Sequence, residues 1–215
     1  MTPFADETLQ ILTQADAILD NDHFVYISGD HGSGWIDKDA IFPHPDLIER
    51  LCGNLAALVG EWNVEVVCGP ATGGLIVAEW TAHALGVLSA FAEHDETTSG
   101  SAFRGQFRLR RGYDHLVAGK RVLVVDDVVN TGQSLQQTSL AVAQAGGTVI
   151  GAGCLISRGN VTAAQLETDR FAFLLEYRIP AWPEATCQLC QSGVPVNTRF
   201  AHGSDYLARR GQTRD

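Results

Sequence analysis

Apolar residues recur along this chain at two spacings, and the spacing changes after Gly60. Over residues 7–19 they fall at Leu9, Ile11, Leu12, Ala15, Ile18 and Leu19, which predicts a helix. The stretch HFVYISGDHGSGWIDKDAIF is strand-like on both sides of a Gly/Ser/Asp loop and predicts a hairpin or a pair of short strands. A second helix is predicted from Pro45, with Asp46 and Glu49 in its first turn. It puts Leu47, Ile48, Leu51, Leu55, Leu58 and Val59 on one face and closes at Gly60. Beyond Gly60 strands and helices alternate. A strand over 64–68 leads through a glycine-rich turn into a helix ending near Leu85, and another strand covers 87–92. Residues 103–111 alternate in places and carry Arg104, Arg108, Arg110 and Arg111, the pattern of a flexible hairpin or lid. A strongly apolar strand over 121–125 precedes a helix over 134–145 that stops at Gly146-Gly147. Two further strands cover 149–156 and 171–175, and the segment after Pro180 reads as irregular with a frayed end.

Strand, turn and helix repeated in this order predict an α/β fold, a central and mainly parallel sheet with flanking helices. The 215 residues suffice for one well-packed domain with small appendages, and 45% apolar residues support a core. Charged residues, at 19%, are too few for a disordered chain. A net charge of −10 speaks against a nucleic-acid or membrane-surface binder, since both need basic faces. An anionic small molecule is still admissible, because backbone amides, a few cations and a metal can hold phosphate on an acidic protein. No run approaches the roughly 20 apolar residues of a membrane span. The opening MTPFADETLQ lacks the layout of a secretory signal. Five cysteines, an odd number, read as reduced thiols, and the expected location is the cytoplasm.

The stretch Val122-Leu-Val-Val-Asp126-Asp127-Val128-Val129-Asn130-Thr131-Gly132-Gln133-Ser134 carries the chemistry. Four apolar residues make a strand buried on both faces. Asp126 and Asp127 follow where that strand should emerge, at the edge where open α/β sheets bind ligands. Next comes a turn of small and hydroxyl residues leading into a helix. Its N–H groups, with the helix N-terminus, form a cradle for an anion. The two carboxylates beside it can accept hydrogen bonds from neighbouring sugar hydroxyls and help hold a cation. An isolated Asp-Asp more often caps a turn; here it comes with the whole strand-and-turn context. A second glycine-bearing turn, Cys68-Gly69-Pro70-Ala71-Thr72-Gly73-Gly74, also joins a strand to a helix. No nucleotide-binding G-x-x-x-x-G-K-[ST] occurs, and Gly151-Ala152-Gly153 lacks the rest of a dinucleotide fingerprint.

The stretch from Val122 to Ser134 resembles the motif with which type I phosphoribosyltransferases bind 5-phosphoribosyl-1-pyrophosphate (PRPP). Over most of the chain, residues 23–196, the sequence is most similar to orotate phosphoribosyltransferases. The resemblance implies that Asp126 and Asp127 are the catalytic carboxylates, and that Asn130, Thr131, Gly132, Gln133 and Ser134 hold the 5′-phosphate. Ala71, Thr72 and Gly73 would hold pyrophosphate, helped by Arg110 and Arg111 from a short mobile loop, with the choice among the loop arginines open. Leu155-Ile-Ser-Arg158-Gly matches the strand end where the family carries an arginine for the orotate carboxylate. The segment His23 to Lys38 is similar to the family's N-terminal hood, with Trp35 or Ile36 as a flat wall for the base and Lys38 beside it. Arg158 could equally make a surface ion pair, and Trp35 could simply pack in a core or interface.

The implied layout is 1–60 for N-terminal helices and hood strands, 61–180 for the PRPP-binding core, and 181–215 for an irregular tail packed on the core. The resemblance also implies Mg²⁺ held through PRPP with Asp126 and Asp127 nearby, and a homodimer. Three positions depart from the family's pattern: Asn130 replaces a usual Thr, Gln133 a usual small residue, and Ile27 a frequent Lys. They keep two other readings open, a different nucleobase or a PRPP-sensing regulator with little catalysis. The tail's Cys187-Gln-Leu-Cys190 is similar to the Cys-Pro-Leu-Cys ending of some members. A single C-x-x-C without a second pair does not make a zinc site by spacing, so it reads as reduced thiols in a structural turn.

Overall fold

A computed structural model describes residues 2–94, 106–159 and 161–212. Two compact units emerge, Met1–Leu9 with Phe42–Tyr177, and Gln10–Ile41 with Arg178–Asp215. Each is assembled from segments distant in sequence, so the predicted 1–60 segment is divided between them.

The larger unit holds a six-stranded sheet. Its strands are β3 (Val66–Pro70), β4 (Leu88–His94), β5 (Phe107–Leu109), β6 (Arg121–Val129), β7 (Thr148–Ser157) and β8 (Phe171–Glu176). They lie in the order β5-β4-β3-β6-β7-β8, all parallel except β5, which runs antiparallel to β4. The helices are α2 (Pro45–Val59), α3 (Gly73–Leu85), α4 (Tyr113–Val117) and α5 (Gln133–Gln144). From β3 the chain crosses through α3 to β4 on one side, and from β6 through α5 to β7 on the other. Parallel crossovers are right-handed, so opposite directions place α3 and α5 on opposite faces. The sheet is therefore covered twice, which is why its strands are continuously apolar rather than alternating. Val122, Leu123, Val124 and Val125 are all fully buried. Val122 and Val124 join a cluster with Leu135 and Val142 of α5. A side chain at Gly153 would meet Leu55 of α2 and Val125 instead, at 3.4 and 3.5 Å, which marks the opposite layer.

The smaller unit contains a three-stranded antiparallel sheet in the order β1-β2-β9, from β1 (Ile18–Val25), β2 (His31–Ile36) and β9 (Ala181–Trp182). The predicted hairpin is present, with Val25 opposite His31 and Ile18 opposite Ile36. Its turn is closed by Tyr26 N–H donating to the Asp30 carbonyl at 2.8 Å. The predicted first helix is shorter: α1 covers Ala5–Gln14, and Ile18 and Leu19 already belong to β1. Asp16, at φ +51°, breaks the helix, so two apolar residues that continue the helical spacing are strand residues paired to β2. The segment expected to be irregular contains β9, a short α6 (Gln188–Gln191) and α7 (Gly203–Gln212). Helix α7, GSDYLARRGQ, has too few apolar residues to show a periodic stripe. It is held through polar groups: Arg210 donates to the Tyr206 hydroxyl, which donates to Glu184, each at 2.7 Å. Among the described residues no helix is long and apolar enough to cross a membrane.

The central strand sets the stability of the larger unit. Leu123 is among the largest fully buried side chains, and Leu123→Ala should lower the unfolding free energy by about 2–5 kcal/mol. Urea denaturation of the two proteins measures this; a change below about 1 kcal/mol would mean that the β6 layer tolerates a cavity.

Candidate active site

In an open α/β sheet a crevice forms outside the carboxyl ends of adjacent strands whose crossovers depart in opposite directions. Here those strands are β3 and β6, which pair in parallel with Val66 opposite Val122 and Cys68 opposite Val124. Both turns singled out in the sequence open at that edge.

Asp126 and Asp127 lie in the last part of β6, which runs four residues further than the apolar pattern predicts. The extension follows from pairing with the long β7, Asp126 opposite Cys154 and Val129 opposite Ser157. Only 9% of Asp126 and 6% of Asp127 is exposed. Successive strand residues point to opposite faces, so the pair straddles the sheet. Each carboxylate is fixed by its own strand: Asp126 Oδ1 accepts from the Asp127 N–H at 2.9 Å, and Asp127 Oδ1 from the Val128 N–H at 2.5 Å.

Beyond Val129 the chain turns through Asn130, Thr131 and Gly132 into α5. Gly132 sits at φ +81°, where a side chain would also strike Leu166 Cδ2 at 2.5 Å. The first turn of any helix presents N–H groups with no acceptor inside the helix, at its positive end. Among the described residues, the internal claim on them is a long contact from Gln133 N–H to Thr131 Oγ1, 3.4 Å. Asn130, Thr131, Gln133 and Ser134 are exposed, so the cradle opens to solvent. Arg158 follows β7 at the same edge, half-buried, its N–H donating to the Val129 carbonyl at 2.8 Å.

The second turn lies against the first carboxylate. A Cβ at Gly69 would stand 2.0 Å from the Gly74 carbonyl oxygen, and one at Gly74 would stand 3.0 Å from Asp126 Oδ1. Ala71 N–H donates to the Ala92 carbonyl at 2.8 Å; Thr72 is exposed as the N-cap of α3, and Gly73 begins that helix. One edge thus brings together Asp126, Asp127, the turn 130–134, the turn 71–73 and Arg158.

Arg110 and Arg111 are placed less centrally. Leu109, Ala92 and Pro70 form one row across β5, β4 and β3, so Arg110 leaves the sheet two strands from Pro70, about 10 Å away. Arg111, at φ +60°, is exposed and ion-paired to Glu93 at 3.2 Å. Arg104 lies outside the described residues. Trp35 and Lys38 belong to the smaller unit. Trp35 stacks on Phe24 and Tyr26, with ring centroids 6.4 and 6.3 Å away, and Lys38 is 3.2 Å from Asp39. The core thiols are held in the protonated form: burial pushes Cys52 and Cys68 up to about 12. Cys154 is raised well above the usual thiol range by burial and then by Asp126 and Asp127.

Residues 37–189 match the phosphoribosyl transferase domain family. The orotate phosphoribosyltransferase of Pelotomaculum thermopropionicum is 38% identical over 191 residues, 89% of this chain and 94% of that protein. The chain belongs to the orotate phosphoribosyltransferase family. Its fold agrees with the crystal structure of the family member from Aeropyrum pernix, at TM-score 0.62 and 26% identity over 78% of this chain and 92% of the other. A Mycobacterium tuberculosis orotate phosphoribosyltransferase solved with PRPP shares the fold at TM-score 0.55 and 21% identity, over 80% of this chain and 90% of that one. Within this phosphoribosyltransferase, Gly69 and Gly74 are the positions that reading by motif undervalued. The motif reading makes them turn glycines that let backbone approach an anion, whereas the structure also uses them for close approach of backbone to backbone and to Asp126.

Gly69→Ala tests that approach, because the atoms it meets are main chain and cannot swing aside. The melting temperature should fall by at least several degrees, read by differential scanning fluorimetry, whereas Gly53→Ala, with open space around its Cβ, should leave it nearly unchanged.

Proposed function

We propose that this chain transfers the 5-phosphoribosyl group from PRPP to orotate, giving orotidine 5′-monophosphate and pyrophosphate in pyrimidine biosynthesis. The observation that carries the reading is the Asp126–Asp127 pair lying between two anion-cradling turns at the β3/β6 edge. PRPP has a phosphate at one end and a pyrophosphate at the other, with a ribose between them. That order matches the turn 130–134, the carboxylates and the turn 71–73.

In this reading the N–H groups of 130–134, with the Thr131 and Ser134 hydroxyls, hold the 5′-phosphate. Asp126 and Asp127 accept hydrogen bonds from the ribose hydroxyls. The C1′–O bond to pyrophosphate breaks, the electron pair leaves with the pyrophosphate, and positive charge grows on the ribose ring. Two fixed carboxylates nearby favour that charge. A ring nitrogen of orotate then bonds to C1′, and its proton passes to the solvent or the departing pyrophosphate. The Thr72 and Gly73 amides receive the leaving pyrophosphate, Ala71 shapes the turn with its own N–H bonded to the Ala92 carbonyl, and Arg110 and Arg111 are the loop cations assigned to it. The oxygen-only donor set of Asp126 and Asp127 suits a hard cation, and Mg²⁺ bound there with PRPP would neutralise the pyrophosphate as it leaves. Arg158 is assigned to the orotate carboxylate by a paired, charge-assisted contact. Trp35 and Lys38 are assigned to the base by family resemblance. A cytoplasmic homodimer completes the reading; light scattering on the purified protein reports its mass.

Asp126→Asn combined with Asp127→Asn preserves side-chain shape while removing charge, so turnover should fall by about 100-fold or more with little change in melting temperature. Near-normal pyrophosphate release by that variant would falsify the reading. Arg158→Ala should raise KM for orotate by about 10-fold or more while changing KM for PRPP little. Asn130 and Ile27, 82% exposed in the β1–β2 turn, favour a second reading with a different base. Pyrophosphate release measured with orotate, uracil and purine bases in parallel decides between them. Stabilisation by PRPP with no turnover on any base would instead indicate a PRPP-binding regulator.

A further inference from the structure

The C-x-x-C of the tail does have a second pair of ligands, drawn from the other end of the chain. His23 and Val25 share a face of β1, and Val25 is opposite His31 at the start of β2. Both imidazoles therefore point to one side of the hairpin, with ring centroids 4.9 Å apart. Cys187 immediately precedes α6 and Cys190 lies within it, three residues on, which puts both sulfurs on one side of that turn. The Cys190 carbonyl accepts from Gly193 N–H at 3.1 Å, with Gly193 at φ +70° closing the loop.

These elements bring four donor atoms into one cluster. His23 Nε2, His31 Nδ1, Cys187 Sγ and Cys190 Sγ all lie within 4.8 Å of one another. His23, His31 and Cys187 are buried, and neither cysteine is in a disulfide. Three of the four nitrogen–sulfur separations are 3.4, 3.7 and 3.8 Å. A tetrahedral zinc ion with ordinary bond lengths has nitrogen–sulfur edges of about 3.6 Å. The two nitrogens stand 2.7 Å apart, and a small rotation of one ring opens them to the roughly 3.3 Å edge of that tetrahedron. His23 is already oriented as a ligand. Its Nδ1 faces the Val194 carbonyl at 2.8 Å and so carries the proton, which leaves the Nε2 lone pair directed into the cluster.

We propose that His23, His31, Cys187 and Cys190 form a structural zinc site. Binding displaces one proton from each thiol, so two thiolates balance the charge of the dication and the buried cluster becomes neutral. Four protein ligands close the coordination sphere, which makes the site structural rather than catalytic. The smaller unit gains from such a clip. Its third strand, β9, is paired to β2 at only two positions, His31 with Trp182 and Gly32 with Ala181. The tail also meets the hairpin through contacts such as Asn197 N–H to the His23 carbonyl, 2.7 Å, and the Tyr206 ring against His31, centroids 5.0 Å apart.

Elemental analysis of the full chain, expressed in zinc-supplemented medium and purified without chelator, should find about one zinc per chain. Cys187→Ser with Cys190→Ser should abolish it, and Cys52→Ser should not. Replacement by cobalt(II) should give the intense visible bands of a tetrahedral site together with thiolate-to-cobalt charge transfer. If the double variant folds poorly, the wild-type protein still decides. A strong chelator should release zinc, expose two further thiols to titration and lower the melting temperature in parallel. Markedly substoichiometric zinc with a featureless cobalt spectrum overturns the proposal. So does a Cys187–Cys190 disulfide in the freshly purified protein, or zinc that persists in a folded double variant.

Discussion

Between the last residues of β3 and the first turn of α3 there is no room for a methyl group. Gly69 and Gly74 meet backbone to backbone, and Gly74 in turn lies against the Asp126 carboxylate. That contact fixes the start of one helix relative to the tip of the neighbouring strand. Because β3 and β6 send their crossovers to opposite faces, nothing in the connectivity covers the edge between them. Two backbone cradles and two acidic side chains are therefore held at a common edge by main-chain geometry and not by long flexible side chains. This suits chemistry on a phosphorylated sugar, where charge has to be met at fixed positions.

The same principle explains how a chain of net charge −10 can recognise anions. Helix N-termini and turn amides supply partial positive charge without any basic residue. Of the arginines that could assist, Arg110 and Arg111 are peripheral, and Arg111 is already engaged with Glu93.

Much of the larger unit was legible from the chain alone, because a doubly covered parallel sheet writes itself as uninterrupted apolar runs bounded by glycine turns. Val122 to Val125 and the Asp126–Ser134 stretch could be read directly, since their neighbours in sequence are their neighbours in space. What escaped reading had non-local causes. Ile18 and Leu19 keep helical spacing but are claimed by β2. The end of β6 is set by its partner β7, and α7 is held by Tyr206, Glu184 and Arg210 with little apolar signal. The grouping of His23 and His31 with Cys187 and Cys190 needs contacts more than 150 residues apart, as the separation of 164 between His23 and Cys187 shows.

The smaller unit is built from two segments, Gln10–Ile41 with the hairpin and Arg178–Asp215 with β9, that are separated by most of the larger unit. A ribosome delivers the hairpin and then makes residues 42–177 of the larger unit before the third strand exists. During that interval β2 presents a bare edge, a surface open to wrong pairing. The order of synthesis thus leaves the hairpin waiting for its last partner until after β8 has been made.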